Sequence, residues 1–179
     1  MSKQEELIVL CKRGDPAAYT QLYNEHSDAV YNTIVRLVKH TGQAEDILQE
    51  SFVAAFQGIA GFPPEGSFRA WVKRIAINKS IDWIRKQKIN FVELGPHLVH
   101  LTEEEVRDEA AFQFSMDAIV AAIESLPDNY RTIFNLYAIE NIPQAEIAEM
   151  LGLENNTVRI QYYRAKHKLL GILTQKRFV

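Results

Sequence analysis

Apolar residues recur at three- and four-residue steps along almost the whole chain, and no stretch alternates convincingly as a strand would. That periodicity predicts an all-α protein. A short helix over about Gln4 to Arg13 stops at Gly14, and Asp15 with Pro16 offers an N-cap and a first-turn proline for the next. The second helix carries Tyr19, Leu22, Tyr23, His26 and Val30, then Ile34, Leu37 and Val38, until Thr41 and Gly42 break it. A third, from about Ala44 to Ile59, sets Leu48, Phe52, Ala55, Phe56 and Ile59 on one face. The glycines and prolines of the 61–66 segment cannot continue a helix, so a loop follows, and Ser67 caps a fourth helix reaching about Lys88. Periodicity fades over 89–112, where Gly95 and Pro96 fall. It returns with Met116, Ile119, Ile123 and Leu126, pauses at Pro127, and resumes with Tyr130, Ile133, Phe134 and Tyr137. Ile142 and Pro143 open a last pair of helices. The expectation is two small helical domains, 1–90 and 113–179, on a flexible linker, 91–112. Phe52, Phe56, Trp71 and Trp83 anchor the first core.

The last pair of helices has the fixed positions of a helix-turn-helix. Ala148 is small where two crossing helices approach, and Gly152 sits four residues on, where a tight turn needs positive φ. Ile147 and Val158 supply the apolar contact between the helices. Asn155 or Asn156 can cap the second helix, which then presents Thr157, Arg159, Gln161, Tyr162, Arg164, Lys166 and Lys168. Duplex DNA is the partner such a unit serves, although a plain helical hairpin has a similar length.

Charge sharpens that expectation. The net charge of −3 argues against nucleic acid only if it is evenly spread. Residues 69–88 hold seven basic side chains against Asp82 alone; 91–128 hold nine acids against Arg107; 155–179 hold six basic residues and no acid. Two basic segments with an acidic one between them suit two phosphate-facing surfaces and a joint of opposite sign. At 47% hydrophobic and 24% charged the chain is globular, with no apolar run long enough to cross a membrane. The polar, acidic start lacks a signal segment, which predicts a cytoplasmic protein. Cys11 lies among Leu7, Ile8 and Leu10 and reads as a buried small hydrophobe. His97 and His100 are the only close histidine pair and lack companion ligands, so neither a metal nor a cofactor is expected. No glycine-rich phosphate loop or nucleophile elbow is present, so the chain is not expected to be an enzyme.

Upstream, two stretches go beyond a simple regulator. In Ala44–Phe52, the residues Asp46, Gln49 and Glu50 share the face away from Leu48, Phe52 and Phe56; such a stripe is either solvated or docks an arginine-rich partner helix. In Gly66–Lys86, aromatic and basic residues interleave behind a stiff loop. Trp71, Ile75 and Trp83 read as core, leaving Arg69, Lys73, Arg74, Lys79, Arg85 and Lys86 free to meet phosphates. A polar loop heading a basic helix can hold a base pulled from the stack.

With these motifs the chain resembles the bacterial RNA polymerase sigma factors of the extracytoplasmic-function (group 4) type. The matching stretches are Ala44–Phe56, Phe62–Lys88, Leu126–Tyr137 and Gln144–Leu170, in that family's order. The resemblance implies that core polymerase docks through its beta-prime coiled coil on Asp46, Gln49 and Glu50. It implies that the loop and the following helix meet the −10 element through Phe62, Ser67, Arg69, Lys73, Arg74, Asn78, Lys79, Asp82, Arg85 and Lys86. It assigns the −35 element to Asn156, Thr157, Arg159, Gln161, Tyr162 and Arg164, with Lys166 and Lys168 on phosphates. The helix around Tyr130–Tyr137 would meet the beta flap, and the acidic linker would run toward the RNA exit path. An anti-sigma factor is a further implied partner, and the nucleotidyl-transfer chemistry would belong to the polymerase. Two departures stand out: Ile160–Gln161 replaces a Ser-Arg pair of many relatives, and Pro63–Pro64 stiffens the loop. The competing assignment is a helix-turn-helix regulator that binds an operator without polymerase; it leaves the Asp46–Glu50 stripe and the Gly61–Lys88 unit unexplained.

Overall fold

The computed structural model describes residues 2–89, 91 and 114–175, and every regular element among them is helical. The chain divides into two compact units, Met1–Gln87 and Lys88–Val179. Of the expected linker only Phe91 is described, and it is buried; the rest of 91–112 lies outside the described residues, as do His97 and His100.

In the first unit, α1 (Lys3–Lys12) begins with a reciprocal cap: the Ser2 hydroxyl accepts from the Glu5 N–H and the Glu5 carboxylate accepts from the Ser2 N–H. Asp15 caps α2 (Pro16–Val38), accepting from the N–H groups of Ala17 and Ala18, with Pro16 in the first turn as anticipated. The break after α2 falls earlier than expected. Lys39 takes the left-handed conformation, φ 58°, and the His40 ring accepts from the Gln43 N–H, so α3 spans Thr41–Gln57. A 3-10 turn at Ile59–Gly61 leads to the loop, and Ser67 caps α4 (Phe68–Lys86) through the Ala70 N–H. Phe68, with no exposed surface, is the hub of the core. Its ring lies within 6.5 Å of those of His26, Phe52, Phe56, Phe62 and Trp71. Trp71 and Trp83, expected as core anchors, are only half-buried. Cys11 is 1% exposed, and burial, helped by the charge of Asp15, pushes its thiol up to about 11, in keeping with a packing role.

The second unit contains α5 (Met116–Glu124), α6 (Asp128–Phe134) continued by a π-helical turn (Asn135–Ile139), α7 (Gln144–Leu151) and α8 (Asn155–Gln175). Ala122, Leu126, Phe134, Ala165, Leu169 and Leu173 form one core cluster. Gly152 ends α7 with φ 66°, which supplies the turn that the helix-turn-helix requires. Ala148, Ile147 and Val158 are buried where α7 and α8 pack. Helix α8 starts at Asn155, with the Glu154 carbonyl accepting from the Val158 N–H. The capping position therefore falls on Glu154 rather than on either asparagine.

Candidate nucleic-acid interface

Helix α3 buries Ala44, Ile47, Leu48, Ser51, Phe52 and Ala55 and so turns Asp46, Gln49 and Glu50 to solvent. The same face carries an apolar element that the sequence reading passed over. Val53 is 54% exposed and, with Gln49, Glu50, Ala54, Gln57 and Lys79, lines a shallow groove of about 420 Å³ between α3 and α4. The Lys79 ammonium crosses to the Glu50 carboxylate at 3.2 Å. Lys79 is therefore not a free cation aimed at phosphate; it belongs to the groove, with its charge shared by an acid. An exposed pair of this kind adds little stability, so its effect here is to place a cation and an acid together at the groove. Acid, amide and an exposed valine together make a surface suited to a partner helix with basic and apolar positions.

On α4 the exposed members of the predicted set are Arg69, Asn78, Asp82, Arg85 and Lys86, whereas Lys73 and Arg74 are half-buried and carry interactions within the protein. The four from Asn78 to Lys86 succeed one another at helical spacing and form one polar edge, with Asp82 followed by the two cations Arg85 and Lys86. Phe62 does not meet expectation. It is 4% exposed, set edge-on to Trp71 at 5.2 Å and tilted against Phe68 at 6.0 Å, so its ring supports the loop from beneath and has no free face for a base. Ser67 is exposed, but its hydroxyl is engaged as the cap of α4. Between them Pro63, Pro64 and Glu65 stand out into solvent, and the Gly66 N–H closes a turn on the Pro63 carbonyl at 3.0 Å. A Cβ on Gly66 would come within 2.8 Å of the Pro63 Cγ and 3.1 Å of the Phe62 Cζ, so this turn closes in its present shape only around glycine.

Helix α8 buries Val158, Gln161, Ala165, Leu169 and Leu173 at steps of three and four. Gln161 is thus a member of the core stripe, 3% exposed. Its amide nitrogen donates to the Phe91 carbonyl at 2.8 Å and its oxygen accepts from Asn129 Nδ2 at 3.3 Å. The expectation that Gln161 reads a base edge is corrected: the side chain is turned into its own unit and its hydrogen-bonding capacity is used there. Tyr162 is corrected in part. Its ring stacks near Phe134 at 5.9 Å and meets Tyr137 edge-on at 4.6 Å, and burial, with Tyr137 beside it, raises its phenol above the usual range. Of the remaining candidates, Asn156, Arg159 and Lys168 are exposed, and Thr157, Arg164 and Lys166 half-buried. The outward face follows the series Asn156, Arg159, Tyr163 and His167. Tyr163 and His167, whose rings lie 4.2 Å apart, were not among the predicted contacts, although the periodicity that buries Val158 and Ala165 points them outward.

Among the described residues, no group of three or more His, Cys, Asp or Glu side chains is arranged to hold a metal, and no helix is long and apolar enough to cross a membrane.

The geometry thus defines a two-unit helical DNA-binding protein: a basic helix beside an acidic and apolar groove in one unit, a helix-turn-helix in the other. Comparisons with known proteins give the family. The sigma-70 region 2 model matches residues 22–89 and the sigma-70 region 4 model matches 116–169. The chain is 30% identical over 176 residues to the ECF RNA polymerase sigma factor SigW of Bacillus subtilis, covering 88% of this chain and 90% of SigW. It is 30% identical to the ECF RNA polymerase sigma factor SigE of Mycolicibacterium smegmatis, over 90% of this chain and 65% of that protein. A solved structure of CnrH in complex with the cytosolic domain of CnrY has a similar fold, with a TM-score of 0.55 and 24% identity over 97% of this chain and 99% of that one. The chain belongs to the ECF sigma factors of the sigma-70 family, transcription initiation factors that direct RNA polymerase to promoters.

Proposed function

We propose a division of labour among the surfaces described above. The α3 face, with Asp46, Gln49, Glu50 and the exposed Val53, seats the beta-prime coiled coil of core polymerase. The loop of residues 62–67, Arg69 in the first turn of α4 and the separate edge of Asn78, Asp82, Arg85 and Lys86 engage the −10 element, Lys73 and Arg74 assisting from half-buried positions. The outward face of α8, led by Asn156, Thr157 and Arg159, enters the major groove at the −35 element; Arg164, Lys166 and Lys168 hold phosphates. Tyr137 and Ile139, apolar and exposed on the π-helical turn, suit the beta flap. The chain supplies no catalytic group of its own, acts in the cytoplasm, and is held in check by an anti-sigma factor, by analogy with the sigma factor RpoE of Bartonella quintana, solved in complex with the anti-sigma factor NepR.

The observation that carries this reading is the groove on α3, where an exposed valine lies among acid and amide groups. A regulator acting alone has no need of it. Replacing Asp46 and Val53 with Arg and Glu tests it by affinity for sigma-free core polymerase. A loss of tenfold or more, with unchanged circular dichroism and unchanged binding to −35 duplex, is the expected result. Wild-type affinity for core in that variant would contradict it.

A further inference from the structure

We propose that the N-terminal helix α1 positions the loop that receives a flipped −10 base, with Gln4 and Lys12 as the positioning residues; this rests on the assignment of residues 62–67 as that loop. The loop's exposed residues, Pro63, Pro64 and Glu65, have no burial to hold them. Its two ends are nevertheless reached from outside by two long hydrogen bonds. The Gln4 amide donates to the Gly66 carbonyl at 3.3 Å, and the Lys12 ammonium donates to the Phe62 carbonyl at 3.5 Å. Those carbonyls flank the exposed turn, and the two donors stand eight residues apart on α1, about 12 Å along a helix axis. Helix α1 therefore spans the loop as a bar.

The bar is itself fixed. Leu7, Ile8 and Cys11 are buried beneath it. Near its start Lys3 pairs with Glu25 of α2 at 2.7 Å, and near its end the Tyr19 hydroxyl of α2 donates to the Cys11 carbonyl at 2.7 Å. From inside, the Phe62 ring rests on Phe68 and Trp71, and the Gly66 turn leaves no room for a Cβ. The loop backbone is thus held from the core on one side and from α1 on the other before any nucleic acid arrives. A loop already held in one shape avoids the ordering cost of forming its receiving surface on contact with an extrahelical base. Neither Gln4 nor Lys12 needs to touch DNA for this.

The test uses holoenzyme reconstituted from core polymerase and the full chain. The probe is a single-stranded non-template oligonucleotide from a promoter the holoenzyme transcribes, intact or carrying single abasic sites through the −10 region. For the double variant Gln4→Ala and Lys12→Met, affinity for the intact strand is expected to fall about three- to tenfold, as for the loss of one or two modest hydrogen bonds. Affinity for the strand abasic at the captured position, affinity for core, and the salt dependence of binding stay at wild-type values. Lys12→Arg, which keeps a donor, restores most of the loss in a Gln4 background. The proposal fails if the double variant binds the intact strand as wild type does, or if intact and abasic strands lose affinity alike. It also fails if the salt slope drops by about one, which marks Lys12 as a direct phosphate contact. If the wild-type holoenzyme itself does not distinguish intact from abasic strands, the assignment of the loop falls, and the positioning role falls with it.

Discussion

Replacing Gln161 with Ala separates two roles for one residue. As a base reader, Gln161 would govern promoter preference and contribute little to folding. As found here, it is 3% exposed and joins Asn129 to the Phe91 carbonyl. Truncation removes two hydrogen bonds of about 1 kcal/mol net each and leaves Asn129 Nδ2 and the Phe91 carbonyl without those bonds in a buried site. With the lost packing, roughly 2–3 kcal/mol follows. If the second unit melts as its own transition, that amounts to a fall on the order of 10 °C in its Tm. The assay is calorimetry or thermally scanned circular dichroism on the full chain. It is paired with transcription from a template library randomised across the −35 element, run well below the lowered transition. The account requires a large loss of thermal stability with an unchanged ranking of −35 sequences. An unchanged Tm with a new base preference at one −35 position would refute it, and would return Gln161 to the DNA surface.

Other consequences follow from single positions. Gly152 adopts φ 66° with no atom within 4 Å of where a Cβ would sit, so Gly152→Ala costs only conformational energy, about 1–2 kcal/mol; Gly152→Asn should cost less, and denaturant melts can rank them. His26 is packed on Phe68 with a buried Nε2 that lacks a hydrogen-bond partner. Burial lowers its pKa below the ordinary 6.5, with Glu25 opposing and Arg69 reinforcing that shift. The folded state thus prefers neutral imidazole, and its contribution is complete above about pH 6.5 and lost as pH falls through the lowered folded value. The wild-type melting temperature should drop between pH 7.5 and 5.5 by more than that of His26→Leu; equal drops would show that other groups dominate.

Much of the architecture was legible because local chemistry and global packing agree. Asp15–Pro16 and Ser67 start helices where a cap is expected, and Gly152 turns where positive φ is needed. The break at Lys39 was not legible, because a lysine at positive φ leaves no compositional signature and the His40 cap depends on a ring orientation. Gln161 and Phe62 were misplaced for a common reason. Residue type suggested contact with DNA, whereas position dictated burial: Gln161 is in register with Val158 and Ala165, and Phe62 faces two rings that only the folded loop brings to it. Lys79 carried the right charge for phosphate, but its pairing with Glu50 joins two helices and has no trace in local sequence. The groove at Val53 was invisible for a related reason: five of its six lining residues lie on α3, but Lys79, which closes it, comes from α4.

The most direct test of the central claim is in-vitro transcription with sigma-free bacterial core polymerase on a pool of bacterial upstream fragments, with and without this protein. The account predicts discrete transcripts that require both components, with 5′ ends that align a shared −35 and −10 element. No such transcripts, together with specific duplex binding by the protein alone, would contradict it and favour an operator-binding regulator.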